Sequence, residues 1–423
     1  MRAESIRRHD RRTSAGSLLW SSRPAIAALM LATVGAGCQS ATRASGTTEA
    51  AEPVAATPVA HPVEQTPPAE PASPREAAAP SPPREERGEL SLAATERSAP
   101  PAAKIRRALD EAVSAGRAAK GGKNADYIPA LAKVDSKLYG VAVVTAGGEV
   151  IERGDTKHKF SIQSIAKAFT LALVMEELGA KKVEEKIGVG ATGMPFNSIM
   201  AIETINGEKD PRPDNPLVNA GAIATVSWVP AKSKEQRWER IIGIMSDFAG
   251  RRLDVDKEVY RSESETNTRN RSIAWLLAAY ESLGSDPMEA LDLYTRECSI
   301  AVTARDLAVM GATLSNGGVN PVTGKRVVSA DTARRVLAVM MTAGLYENSG
   351  QWAVQVGVPA KSGVGGGMVA VVPGSLGVGT FAPPLDAAGN SVRGQRAIGA
   401  LVDKLGISVF ASHPKRRETA ASH

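Results

Sequence analysis

Twelve of the chain's 26 prolines fall between Gln39 and Ala103, and this clustering confines any packed domain to the residues beyond it. The stretch has no aromatic residue and no Ile, only Leu90 and Leu92, and abundant Ala, Glu and Ser. Proline removes a backbone donor wherever it stands, and so little apolar surface does not offset the entropy of ordering the segment. The expectation is a disordered tether over residues 39–103, one folded unit over 104–413 and a disordered tail over 414–423. The folded unit is long enough to bury a core of its own.

Residues 1–38 read as an export signal. Arg2, Arg7, Arg8, Arg11, Arg12 and Arg23 precede the apolar run Ala25 to Val34, which is about half the roughly twenty residues that a membrane-spanning helix needs. The run ends in Gly35-Ala36-Gly37-Cys38, which resembles a bacterial lipobox, with Gly35 where a larger aliphatic is usual. A lipoprotein-type signal peptide is therefore expected, with Cys38 acylated and the protein held on a membrane facing the periplasm. The alternatives are soluble export, or a cytoplasmic protein whose true start lies further on.

Net charge is +6, divided as +4 over residues 1–38, −4 over the tether and +6 over the rest. No dense basic run stands beside stacking aromatics, so nucleic acid is not an expected partner. Of His9, His61, His158, His413 and His423, only His158 lies well inside the folded unit. A Ser-His-Asp triad would have to use it, and a typical zinc site, which draws on several His and Cys, lacks ligands, so no such metal site is expected. Cys38 and Cys298 are the only cysteines. They offer no disulfide framework, and Cys298 reads as a small buried hydrophobe.

Tyr139 to Val144 and Glu149 to Glu152 flank Gly147-Gly148, a hairpin signal. A helix is predicted after Ser164, stopped at Gly179, with others near Trp238 to Phe248, Arg271 to Leu283, Ala304 to Leu314 and Asp331 to Met341. Thr303 and Asp331 are the expected N-caps of the last two. Met368 to Val372 and Leu376 to Phe381 read as strands joined at Pro373-Gly374. Strands at both ends with helices between imply an α+β domain whose sheet pairs N- and C-terminal segments.

Without a usable histidine, a hydrolase must activate its nucleophile another way, and Ser164-Ile165-Ala166-Lys167 supplies one. Residues three apart on a helix share a face, so the lysine amine reaches the serine hydroxyl and takes its proton if burial keeps the amine neutral. The spacing alone is weak evidence, since Ser412-His413-Pro414-Lys415 repeats it in the tail. Lys361-Ser362-Gly363 resembles the Lys-Thr/Ser-Gly strand of β-lactamases and penicillin-binding proteins, whose nucleophile also sits in Ser-x-x-Lys. The glycines flanking Val364, with Gly365-Gly366-Gly367 beyond, are expected either to let a substrate approach backbone N–H donors closely or to form a plain turn. Gly188-Val189-Gly190-Ala191-Thr192-Gly193 matches a dinucleotide fingerprint but comes after a polar stretch and not a buried strand.

Tyr127-Ile128-Pro129, Phe160 to Lys167, Pro195-Phe196-Asn197, Asn215 to Ile223, Ser262-Glu263 with Arg269-Asn270, and Pro359 to Gly367 resemble, in order, the successive blocks of the glutaminase family. The resemblance covers nearly everything from Ala125 to Arg393. It implies a β-lactamase-like α+β fold, with a central antiparallel sheet and a helical region, and hydrolysis of L-glutamine to L-glutamate and ammonia without a cofactor. It implies Ser164 as nucleophile, Lys167 as its partner and Tyr346 sharing the proton transfers. The N–H groups of Ser164 and Val364 would form the oxyanion hole, Asn219, Glu263, Asn270 and Tyr294 would hold the substrate, and Tyr127 would cover it. A homodimer or homotetramer is implied as well.

Free glutamine brings an ammonium and a carboxylate, so its pocket needs one anion and several neutral donors, with Glu263 the natural partner for the ammonium. The competing readings are a β-lactamase or D-alanyl peptidase of the same fold, and a catalytically idle solute-binding protein. Two features depart from the family's bacterial pattern: the leader with its tether, and a connection at Gly207 to Asp214 that is longer than usual.

Overall fold

The computed structural model describes residues 99–203 and 212–411, which fall in one compact unit. The leader with Cys38, the tether up to Ser98, most of the Gly207 to Asp214 connection and the second Ser-x-x-Lys lie outside the described residues.

The predicted hairpin is present as β1 (Gly140–Thr145) and β2 (Val150–Gly154), antiparallel, with Gly148 at φ 88° in the turn. Three short strands come next, β3 (Phe160–Ser161), β4 (Asp254–Val255) and β5 (Ile300–Val302), which pair in the order β3-β5-β4. Near the C-terminus come β6 (Ala360–Ser362), β7 (Gly367–Val372) and β8 (Leu376–Phe381). The main sheet has the order β2-β1-β8-β7-β6, antiparallel throughout, so β1 pairs with β8 as the α+β reading expects.

Alternation along the strands assigns the two faces. Val141 and Val143 pack with Ile105, Leu109 and Leu401, from the Ala102–Ala118 and Val392–Leu405 helices. Ala142 and Val144 pack with Ala308 and Ala312 of the Ala304–Ser315 helix. That helix lies directly on the backbone of β8: a Cβ on Gly379 would strike the Ala304 carbonyl, and one on Gly377 the Ala312 amide.

Beyond this helix lies the helical region. Its Ala166–Leu178 helix is buried continuously from Ala166 to Met175, as expected of a helix that is apolar all round. It packs against the Asn219–Ser227, Lys234–Ala249 and Ala330–Ala343 helices. Gly179, at φ 80°, ends it as predicted.

Four boundaries differ from expectation. Ser164 lies in a 3₁₀ turn, Gln163–Ile165, and the α-helix starts at Ala166. The helix predicted from Arg271 to Leu283 spans Thr268–Ala279, since Glu281 takes φ 54° and turns the chain out of it. Ser329, and not Asp331, caps the Ala330–Ala343 helix: its hydroxyl accepts from the Thr332 amide, while Asp331 accepts from Arg334 and Arg335. The first helix begins at Ala102, two residues inside the stretch assigned to the tether, with Pro101 as its N-cap.

Candidate active site

Two of the four non-glycine residues with positive φ among the described residues lie at Ser164: Gln163 at 52° beside it in sequence, and Tyr346 at 57° across from it. Such conformations cost of order 1–3 kcal/mol and persist where the surroundings enforce them. The turn sets Ser164 one residue ahead of the Ala166–Leu178 helix, where the helix dipole favours developing negative charge. Lys167, 1% exposed, stands in the first turn of that helix. Burial lowers its pKa to about 8, although nearby Cys298, Glu297 and Glu263 act the other way. Its Nζ donates to Asn219 Oδ1 at 2.6 Å.

Tyr346 is buried at the start of the Tyr346–Asn348 turn, with its hydroxyl near those of Ser164 and Ser362. Burial pushes this phenol up to about 12, the two serine hydroxyls pull it back, and its Oη has no hydrogen bond at normal distance. Lys361, fully buried on β6, holds its Nζ 4.1 Å from the centre of the Tyr346 ring and donates to the Ser362 carbonyl at 2.9 Å. Burial, with Lys167 nearby, keeps the Lys361 amine well below the usual lysine range.

On the other side of Lys167 is a polar chain. Tyr294, from the Pro287–Cys298 helix, donates to Asn219 Oδ1 at 3.0 Å, and Asn219 Nδ2 donates to Asn270 Oδ1 at 2.8 Å. Glu263, on the Lys257–Thr266 helix, is 7% exposed and accepts from Gln163 Nε2 at 3.1 Å. Burial raises the Glu263 pKa to about 7, against the opposing effects of Gln163 and Lys167.

One pocket is lined by Tyr127, Ser164, Asn219, Glu263, Asn270, Tyr294 and Val364, so seven of the nine site residues expected from sequence share a cavity. Lys167 and Tyr346 are buried behind its wall. Tyr127 is half-exposed at the rim. Gln163, Phe196, Asn197 and Arg269 also line the pocket. All four sit in the sequence blocks that resemble the family, but their own chemistry carried no role. The pocket wall is reinforced where Arg269 Nε donates to the Asn197 carbonyl at 2.7 Å.

The glycines around Val364 form a turn, one of the two arrangements expected, and that turn packs closely on a neighbouring segment. A Cβ on Gly363 would come 2.6 Å from the Ile162 carbonyl, and one on Gly365 would come 2.6 Å from that of Ser161. They let the β6–β7 turn lie against the nucleophile's own segment, which brings Val364 to the pocket beside Ser164. His158 is exposed and stacks on Phe381, away from the pocket. Cys298 is buried, and burial holds its thiol well above the usual range. The Gly188 to Gly193 motif comes after the Ala180–Lys186 helix, and Gly188 and Gly190 pack against Asp214.

Sheet, helical region and a buried Ser-x-x-Lys between them define a β-lactamase-like amidohydrolase. The Glutaminase family model matches residues 122–410. The chain is 54% identical over 311 residues to a glutaminase of Brucella canis, covering 74% of this chain and 97% of that one. It is 51% identical over 308 residues to a glutaminase of Mycobacterium ulcerans, covering 73% and 95%. Among solved structures it is similar to the probable glutaminase ybaS, with 49% identity, a TM-score of 0.72, and 74% of this chain and 100% of that chain covered. A probable glutaminase of Bacillus subtilis gives 31% identity and a TM-score of 0.66, covering 73% and 98%. The chain belongs to the glutaminase family.

Proposed function

We propose that the enzyme hydrolyses L-glutamine to L-glutamate and ammonia through an acyl-enzyme on Ser164. The observation that carries this is one pocket that brings Ser164 together with a buried carboxyl, Glu263, and the neutral side chains Asn219, Asn270 and Tyr294, with Lys167 buried in the helix turn after Ser164. Glu263 takes the substrate ammonium, and Asn219, Asn270 and Tyr294 take the carboxylate. The side-chain amide then points to Ser164. Lys167, poised near neutrality by burial, takes the Ser164 proton as Oγ bonds to the amide carbon. The N–H groups of Ser164 and Val364 hold the oxyanion. The proton passes to the amide nitrogen, with Tyr346 sharing the transfer, and the C–N bond breaks to release ammonia. A water then hydrolyses the ester, with Lys167 again as base.

Ammonia release from glutamine, set against nitrocefin turnover, tests the reading. Turnover of glutamine alone is expected; nitrocefin hydrolysis without ammonia would make the enzyme a β-lactamase instead. N-acetylglutamine should be a very poor substrate, because it leaves a buried carboxylate without its cation. Asparagine is expected to fail as well, being one methylene too short to reach Ser164 from Glu263.

The basic leader, short apolar run and Cys38 support an enzyme held outside the cytoplasm by lipid on Cys38 and projected on the proline-rich tether. The family resemblance supports a homodimer or homotetramer.

A further inference from the structure

Behind the pocket lies a carboxyl that the mechanism leaves unused. Glu297 is 0% exposed. Its Oε2 accepts from Thr170 Oγ1 at 2.5 Å, and its Oε1 has no partner. Thr170 is three residues beyond Lys167 on the Ala166–Leu178 helix, and Glu297 is three beyond Tyr294 on the Pro287–Cys298 helix. Residues at that spacing share a helix face. The two faces meet as rungs: Lys167 and Tyr294 both donate to Asn219 Oδ1, and one turn deeper Thr170 donates to Glu297.

We propose that Glu297 is a positioning residue for Lys167, a buried carboxyl one turn behind the amine that supplies the local charge against which the amine holds its proton. The proposal rests on Lys167 being the base for Ser164. The charged and titratable groups facing Lys167 are Glu263, Glu297, Cys298, Tyr294 and Lys361. Burial keeps the Cys298 thiol and the Tyr294 phenol neutral, and Lys361 is held toward its neutral form, so Glu263 and Glu297 are the groups here that gain negative charge as pH rises through neutrality. Glu263 is paired once substrate is bound, which leaves Glu297. Burial raises its pKa to about 8, opposed by Thr170 and Lys167. The amine and the carboxyl therefore titrate as a coupled pair, and one proton can sit on either.

The test is the pH profile of kcat at saturating glutamine for wild type and Glu297→Gln. Wild type should climb through a broad, two-step limb. Glu297→Gln should collapse it to one step about one pH unit lower, the size of effect a buried neighbouring charge exerts. Thr170→Val, which removes the donor that stabilises the Glu297 anion, should shift the limb the same way by less, and it reads out the effect if Glu297→Gln fails to fold. A second readout does not depend on catalysis. A carboxyl whose folded pKa is raised stabilises the protein fully below its unfolded value and loses that stabilisation as pH rises through the folded value. The melting temperature of wild type should therefore fall relative to that of Glu297→Gln between about pH 5 and 8. Superimposable kcat profiles in variants that fold would overturn the proposal. Superimposable profiles beside an altered stability slope would do so while leaving Ser164 and Lys167 in their roles.

Discussion

Buried carboxyls resist ionisation, and Glu263 must be ionised to hold an ammonium. With its pKa raised to about 7 by burial, it loses that charge as pH falls below neutrality. KM for glutamine should accordingly rise as pH drops from about 8 to 6, and Glu263→Gln should raise KM by about two orders of magnitude and flatten its pH dependence, since truncating one partner of a buried charge pair costs several kcal/mol. A wild-type KM that stays constant over that range would contradict the assignment. The free-enzyme profile, kcat/KM, reports Glu263 and Lys167 together. It should rise through pH 7 to 8, because both must lose a proton to act. Ser164→Ala should lower kcat by at least about a thousandfold with the melting temperature little changed, as removal of the nucleophile eliminates the covalent path. More than a tenth of the activity remaining would place the nucleophile elsewhere.

Secondary structure was legible where periodicity and capping agree. The β1–β2 hairpin, the β7–β8 pair and the Thr303-capped helix are cases, the last with a reciprocal Thr303–Asp306 capping box. Two of the helices that deliver the substrate side of the pocket are not legible in the sequence. Asn219–Ser227 is short and buried at every position, so it carries no amphipathic period. Lys257–Thr266 is so polar that only Val259 and Glu263 are buried. Ser164 and Lys167 stand out by their spacing taken together with Lys361-Ser362-Gly363, whereas Asn219, Glu263, Asn270 and Tyr294 emerge through resemblance to a family. Glu297 had no signal at all, because an acidic residue near a helix end is ordinarily solvated. Glycine offers a test at this scale. In the sequence Gly379 is one more residue of a strand, yet the Ala304–Ser315 helix rests on its backbone. Gly379→Ala should push that helix off β8 and destabilise the fold by about 1–3 kcal/mol, the usual penalty of overpacking. Gly324→Ala, where a Cβ meets nothing within 4 Å but φ is 73°, should cost about 1 kcal/mol through backbone strain alone. Urea midpoints of the two variants would show whether close packing outweighs strain; equal losses would deny the helix–strand contact its role.

The described residues contain no helix long and apolar enough to cross a membrane, and the leader carries the features that would attach the chain to one. Each component of that leader is common alone: six arginines, an apolar run too short to span a bilayer, and a cysteine at its end. Together, in this order, they fit acylation of Cys38. Residues 39–101 would span about 40–50 Å as a flexible coil and about 200 Å in full polyproline extension. Either value clears lipid headgroups, so anchoring should leave the pocket open to glutamine arriving from solution. KM of the enzyme on membranes should then equal that of detergent-extracted enzyme. Because Gln39 comes after the cysteine where aspartate would signal retention at the inner membrane, the outer membrane is the expected site in a Gram-negative cell. Cells producing the full-length chain should carry it in the membrane fraction, labelled by a palmitate analogue. Cys38→Ala should abolish the label and leave the activity of the released or unprocessed protein intact. Full-length protein recovered unlabelled from the cytosol with residues 1–38 still attached would refute the anchor while leaving the chemistry at Ser164 untouched.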